Sequence, residues 1–452
     1  MLEPDSERAL LVDLYELTMA AAYFEQHVDC RATFELFVRL LPPGRAYLVA
    51  AGIEDALDYL SALRFTEEQV QFLRGLPVFR TVSAEFFDYL RQFRFRGDVE
   101  AVAEGTLVFA EEPLLQVTAP ILAAQIVETY LLSVINFETL IASKAARVVR
   151  AARGRGVLEF GTRRAQGPEA GLRAARAAYL GGCLATSNVL AGFRYGIPLA
   201  GTAAHSWTQV FPTEEQSFRA LLDTFPQDAV LLIDTYDPLQ GAETAASLGR
   251  SITGVRIDSG DPLEKSRLVR AILDRHGRRE TKIVASGDLN EYKVAALVAA
   301  GAPIDLFGVG TDLATSRDVP ALSVVYKLVE TERGGQVDYK TKFSEDKVYW
   351  PGRKQVFRFS TAGRYHHDLI ARLEEKPPGA APLLQPVMRD GRRLRPRPPL
   401  PDCRAAVLAA LDCLPEPYHA LERAPLYPVA KSEALQRLLE DVREQTFRAV
   451  PG

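Results

Sequence analysis

The run Leu158-Glu159-Phe160-Gly161-Thr162-Arg163-Arg164-Ala165-Gln166-Gly167-Pro168 sets an aromatic and two adjacent arginines on the loop after a short apolar stretch. A planar guanidinium holds a carboxylate or phosphate through two parallel hydrogen bonds, and an aromatic face stacks on a flat ring beside it. Phe160, Arg163 and Arg164 therefore suit an anionic, planar ligand. Taken alone, the two arginines fit a solvated loop equally well.

In Gly254-Val255-Arg256-Ile257-Asp258-Ser259-Gly260-Asp261, an arginine lies inside an apolar strand, which is costly unless the charge is paired or aimed at an anion. Arg256 and Asp258 are two apart and project to one side of the strand. Two readings stay open: an internal salt bridge between them, or Arg256 at a ligand carboxylate with Asp258 accepting from sugar hydroxyls. His205, in Gly201-Thr202-Ala203-Ala204-His205-Ser206, sits on a small-residue loop between hydroxyl residues. That setting suits acid/base or nucleophilic work, against the plainer reading of a structural histidine. His366-His367 has no such setting.

Phe307-Gly308-Val309-Gly310-Thr311-Asp312 offers backbone N–H groups and a hydroxyl to a phosphate, though it matches neither the GxGxxG fingerprint nor a P-loop. Ser286-Gly287-Asp288 supplies a second small-residue turn with a carboxylate. Adjacent phosphate and ribose sites are the expectation.

These residues need elements to hold them, and the pattern from about residue 155 supplies short apolar strands alternating with helices. Val157–Phe160 leads into Gly-Thr-Arg-Arg, Ile197–Ala200 into Gly-Thr-Ala-Ala-His-Ser, and Val230–Ile233 into Asp-Thr-Tyr-Asp. Gly254–Ile257 leads into Asp-Ser-Gly-Asp, Lys282–Ala285 into Ser-Gly-Asp, and Asp305–Phe307 into Gly-Val-Gly-Thr-Asp. Strands that all end in small, hydroxyl or charged residues are what the active face of a (β/α) barrel requires. An open doubly wound sheet is the alternative.

Before the barrel, residues 10–28 have helical spacing, residues 32–38 alternate as a strand, and residues 97–120 read as antiparallel β. Three parts follow: an α+β domain over 1–120, an α/β barrel over 121–322, and a C-terminal segment over 323–452. Within the last, Val324–Leu328 and Lys347–Trp350 read as strands, Pro377–Pro401 as a Pro/Arg-rich connector without regular structure, and Ser432–Phe447 as a helix.

Composition narrows the function. The 54 Lys and Arg against 58 Asp and Glu give a net charge of -4, which argues against nucleic acid as a partner. The N-terminus lacks the charge pattern of a secretory signal. The apolar stretch Ile121–Ile141 is broken by Gln125, Glu128, Asn136 and Glu138, so a buried helix pair is expected and no membrane span. Cys30, Cys183, Cys403 and Cys413 are scattered, without metal-ligand spacing or a disulfide framework, which fits a reducing cytoplasm.

Taken in order, Asp13-Leu14-Tyr15-Glu16-Leu17-Thr18-Met19, Glu159 to Gly167, Gly201 to Ser206, Arg256 to Asp261 and Phe307 to Thr311 resemble nicotinate phosphoribosyltransferase over roughly residues 10 to 330. The resemblance implies a type II phosphoribosyltransferase fold, an irregular (β/α) barrel with an α+β domain that the C-terminal segment joins. It implies synthesis of nicotinate mononucleotide and pyrophosphate from nicotinate and 5-phosphoribosyl 1-pyrophosphate, coupled to ATP hydrolysis, with Mg2+. It implies a homodimer in which Tyr15 completes the partner subunit's site.

By the same resemblance Tyr15 and Phe160 sandwich the pyridine ring, while Thr202 and Arg256 hold nicotinate. Asp258, Gly287 and Asp288 face the ribose, Gly310 and Thr311 take the 5-phosphate, and Arg163 and Arg164 lie near the site. His205 matches the family histidine that ATP phosphorylates; Tyr15 is singled out by the resemblance alone.

The close rival is nicotinamide phosphoribosyltransferase. The resemblance implies an aspartate at the position of Ser187 in the amide-using relatives, where its charge would repel a carboxylate. The neutral serine favours the acid. A non-catalytic phosphate-binding homologue is the other alternative, against which stands the intact set Tyr15, His205, Arg256, Asp258 and Thr311.

Overall fold

A computed structural model describes residues 7–344 and 347–448. Backbone contacts divide the chain into two units, 1–140 together with 321–452, and 141–320. The first boundary falls inside the helix Glu128–Ala151 and not ahead of Ile121.

The first unit is organised by the strand Arg31–Val38, buried along nearly its whole length. It pairs antiparallel with Pro113–Pro120 on one side and Val324–Arg333 on the other, so both ends of the chain build one seven-stranded sheet. Phe34 stacks on Tyr326 across that pairing with centroids 4.7 Å apart. The first helix, Leu14–Glu25, is shorter than the 10–28 expected, with Asp13 at its N-cap. Its buried Glu16 accepts from the amide of Thr129 at 3.1 Å and from the Thr129 hydroxyl, and Oε2 has no hydrogen-bond partner among the described residues. Burial, with Glu128 and Asp13 adding repulsion against the Thr129 hydrogen bonds, pushes this carboxyl up to about 8.

The C-terminal segment departs from the sequence reading in two places. Pro377–Pro401 is not irregular: Ala380–Pro382 and Gln385–Arg389 join two sheets as strands. Its arginines are structural as well. Arg397 donates to Asp55 at 2.7 Å and Asp58 at 2.9 Å, and Arg393 pairs with Glu54 and Asp58, fastening the segment to the helix Ile53–Ala62. Lys347–Trp350 forms no strand. The carbonyls of Tyr349 and Trp350 instead accept from side chains, the Thr341 hydroxyl and the buried Lys354 ammonium, the latter at 2.7 Å. The final helix is Glu433–Arg448.

Ile121–Ala151 is long and apolar enough to cross a membrane by length and composition. Its charges, however, are met by protein. Lys144 pairs with Glu291 and Asp318, each at 2.7 Å, and Arg147 reaches Glu291 at 3.2 Å, with Glu291 fully buried. This is how a core helix carries ions.

In the second unit six strands form one parallel sheet, in the order Ala185–Thr186, Gly156–Glu159, Leu306–Val309, Lys282–Ala285, Gly254–Ile257 and Val230–Leu232. Ile197–Ala200 is not the full strand expected; only Leu199 bridges, to Thr186. Pro198 has no N–H to extend that ladder. The two-residue strand Ala185–Thr186, unforeseen in the sequence, takes the place beside Gly156–Glu159.

The sheet curls. Thr202, just past the Leu199 bridge at one edge, hydrogen-bonds Arg256 near the other edge, and His205 meets Thr235 just after the opposite edge strand. Loops thus join edges that the backbone ladder leaves apart. That is an irregular barrel, and a doubly wound open sheet would keep those edges separate.

Candidate active site

The carboxyl ends of the parallel strands carry the chemistry. Phe160 leaves Gly156–Glu159 with its amide on the Val309 carbonyl at 2.8 Å. Glu159, fully buried, ties this turn to the neighbouring strand: one oxygen accepts from the Gly161 amide and the other from the Thr186 hydroxyl at 2.5 Å. Burial holds its carboxyl above the ordinary range. The Glu159 carbonyl takes the Ser187 amide at 3.0 Å, which fixes Ser187 at the rim with its side chain exposed.

Arg256 is the hub. Its Nε donates to Ser286 at 2.8 Å, one terminal nitrogen to Thr202 at 2.7 Å, and the other to Asp258 at 2.6 Å. The guanidinium carbon stands 6.0 Å from the Phe160 ring centre. The internal salt bridge left open by the sequence is therefore formed, yet the Arg256 side chain keeps 14% of its surface exposed, and with a further contact to the Ala203 carbonyl at 3.5 Å one of its five N–H donors is still unspent.

Asp258 accepts on Oδ1 from Ser286 and Arg256, and its Oδ2 lies 3.8 Å from Nε2 of His205. Burial alone would raise its pKa; the Ser286 hydroxyl and the Arg256 guanidinium outweigh that and hold it below the usual aspartate value. His205 begins the short helix His205–Val210, with Nδ1 3.2 Å from the Thr235 hydroxyl.

Gly287 follows with φ +95°, and a Cβ there would sit 2.2 Å from the Asp258 carbonyl, so only glycine fits. Asp288 keeps a positive φ of 46°, its carbonyl held by Lys293 at 2.7 Å. Gly310 needs no unusual φ; it allows close approach, since a Cβ would lie 3.1 Å from the Phe160 carbonyl. Thr311 opens the turn Thr311–Ala314, and Asn290 links the two loops through Asp312 at 2.8 Å.

The structure thus gathers Phe160, Thr202, His205, Arg256 and Asp258, with Gly287 and Gly310 packed against them. Arg163 and Arg164 lie exposed on the turn Thr162–Arg164, and among the described residues neither has an ion-pair partner. Tyr15 belongs to the first unit, where it is 47% exposed. Burial of its hydroxyl, with Glu128 and Glu16 nearby, holds the phenol well above its usual value.

Sequence reasoning gave no role to Asp234, although it ends a strand. Its Oδ2 accepts from the Asp258 amide at 2.9 Å and from Ser259 at 2.7 Å, while the buried Oδ1 has no hydrogen-bond partner among the described residues. Glu214 also escaped notice. Burial, with Asp237 and Asp234 adding repulsion, pushes it up to about 7. A carboxylate at a strand end was the available signal for the first; nothing in the sequence marks the second.

An irregular parallel barrel whose strand ends pair an arginine with an aspartate beside small-residue turns defines a protein of the type II phosphoribosyltransferase class. Family models agree: residues 10–136 match the nicotinate phosphoribosyltransferase N-terminal domain, 156–336 the nicotinate phosphoribosyltransferase family and 378–439 its C-terminal domain. The chain belongs to the nicotinate phosphoribosyltransferase family, and is an enzyme of that type.

Nicotinate phosphoribosyltransferase pncB2 of Mycobacterium tuberculosis is 46% identical over 453 residues, covering 98% of this chain and 96% of that protein. Nicotinate phosphoribosyltransferase of Bacillus subtilis is 40% identical over 384 residues, covering 82% and 78%. The crystal structure of human nicotinic acid phosphoribosyltransferase superposes with a TM-score of 0.83 at 31% identity, covering 96% of this chain and all of that one.

Proposed function

We propose that this enzyme joins nicotinate to 5-phosphoribosyl 1-pyrophosphate, releasing nicotinate mononucleotide and pyrophosphate, the entry of nicotinate into NAD synthesis, with ATP hydrolysis coupled to the cycle. The observation that carries the reading is the joined set of Phe160, Arg256 and Asp258: an aromatic face, a cation beside it and an ionised carboxylate two residues on. Phe160 offers one face to the pyridine ring, Arg256 with Thr202 holds its carboxylate, and Oδ2 of Asp258 meets the ribose. Ser187 adds no charge at the rim, which favours the acid over the amide.

The pyridine nitrogen attacks the anomeric carbon directly, so no side-chain nucleophile is needed. Positive charge grows on the ribose as pyrophosphate leaves, and the ionised Asp258 stabilises it. Gly310 and Thr311 receive the 5-phosphate, Gly287 and Asp288 the ribose, and the exposed Arg163 and Arg164 are free for phosphate oxygens. Mg2+ would neutralise the departing diphosphate. His205, with one ring nitrogen set by Thr235, is the acceptor of the ATP phosphoryl group.

A homodimer is part of the reading, with Tyr15 serving the partner subunit's site; its 47% exposure supports that use. So is a cytoplasmic setting, which the four free cysteines support. The test is incubation of the purified protein with 5-phosphoribosyl 1-pyrophosphate, Mg2+ and either nicotinate or nicotinamide, with and without ATP. Nicotinate mononucleotide that accumulates faster with ATP is the expected product. Preferential use of nicotinamide, or no product, would reject the reading.

A further inference from the structure

Ser286 follows the strand Lys282–Ala285 and is 5% exposed, so its hydroxyl must be satisfied by protein. A serine hydroxyl carries one proton, as does Nε of an arginine. Nε–H of Arg256 points at Ser286 Oγ from 2.8 Å, so the oxygen accepts there. The serine proton then has two oxygens in reach, the Ile257 carbonyl at 3.3 Å and the closer Oδ1 of Asp258. The ionised acceptor takes it, because charge-assisted hydrogen bonds are shorter and stronger. The same Oδ1 also receives a terminal N–H of Arg256.

We propose that Ser286 is a positioning residue, a one-proton relay that locks the Arg256 fork and the Asp258 carboxylate into a single unit. With Oδ1 of Asp258 occupied by two donors, Oδ2 is the oxygen left for the ribose; with Nε of Arg256 fixed, the one N–H left on the terminal nitrogen that meets Asp258 keeps one direction for a carboxylate. The relay couples the two substrate subsites, and this deepens, and rests on, the proposed roles of Arg256 and Asp258. The Ser286 hydrogen bond opposes burial at Asp258, together with the hydrogen bond and the charge of Arg256, and these keep it ionised.

The test uses Ser286→Ala and Ser286→Thr, each alone, and Ser286→Ala combined with Arg256→Ala. Ser286→Ala should lower kcat/KM for nicotinate roughly tenfold, the effect of about one hydrogen bond, in a protein that still folds, with its melting temperature lowered by no more than a few degrees. Ser286→Thr should restore most of it. On the Arg256→Ala background the same change should cost less than about twofold, because the relay has already lost its partner. Wild-type kcat/KM in Ser286→Ala, or the full tenfold loss on top of Arg256→Ala, would overturn the proposal, whatever the threonine variant does. A second readout needs no turnover: the 13C resonance of the Asp258 carboxyl should titrate about one pH unit higher in Ser286→Ala. No movement overturns the relay even if the protein makes no nicotinate mononucleotide, an outcome that by itself rejects only the functional reading.

Discussion

Gly308 lies beneath the Phe160 ring: a Cβ at that position would stand 2.7 Å from two ring carbons. The glycine sits inside the strand Leu306–Val309, one residue beyond where the apolar run seemed to stop, and its missing side chain is the space the ring occupies. Gly308→Ala should displace the ring and raise KM for nicotinate, at about 1–3 kcal/mol of overpacking, while KM for 5-phosphoribosyl 1-pyrophosphate changes far less. Equal increases for both substrates would mean a general distortion of the barrel end.

Arg256→Ala should cut kcat/KM for nicotinate by roughly 2–4 kcal/mol of transition-state stabilisation. Because Arg256 also holds Asp258 ionised, a smaller loss should appear with the phosphoribosyl substrate. Ser187→Asp should independently lower nicotinate use by placing a negative charge at the rim. Steady-state kinetics on both substrates check the pair, and an unchanged value for nicotinate in Arg256→Ala removes the carboxylate contact.

His205→Ala should abolish ATP stimulation and leave slow ATP-independent transfer, since the pyridine nitrogen itself attacks the ribose. Labelling with γ-labelled ATP should give an acid-labile, base-stable phosphate on the wild type alone. A mutant that labels equally returns His205 to a structural role.

Glu16 makes stability depend on pH. Its folded-state pKa of about 8 lies above the value of an unfolded glutamate, so the folded chain binds the extra proton and this contribution is complete below about pH 4.5. It is lost as pH rises through about 8. Glu16→Gln, which keeps the acceptor for Thr129 and cannot ionise, should flatten this part of the melting-temperature profile between pH 5 and pH 8. The check is the difference between the two profiles, expected at about 2–4 °C; parallel curves would show that Glu16 is ionised in the fold.

The barrel strands were legible because each apolar run ends abruptly in polar or small residues, and five of the six expected runs formed as strands. Ile197–Ala200 misled because its apolar content is real while Pro198 prevents the ladder. The hub of Arg256 and Asp258 was visible from the two-residue spacing, which forces both onto one face. Ser286, Asp234 and Glu214 were not, because their significance lies in distances between separate strands and loops. The connector 377–401 was misread for the same reason: its prolines suggested a free linker, while the carboxylates that hold its arginines lie more than three hundred residues away, on Ile53–Ala62.

The strand Arg31–Val38 has a consequence for how the chain is made. Its partner Pro113–Pro120 leaves the ribosome soon after it, but Val324–Arg333 emerges roughly three hundred residues later, a wait of about 15–60 s at ~5–20 residues/s. During that interval the whole of 141–320 has been synthesised and is free to fold. One edge of a strand that is buried in the finished fold meanwhile stands open, a template for mispairing. The nascent chain should therefore need chaperone protection at its beginning and not in 141–320, and a truncation that ends before Val324 should aggregate through residues 31–38.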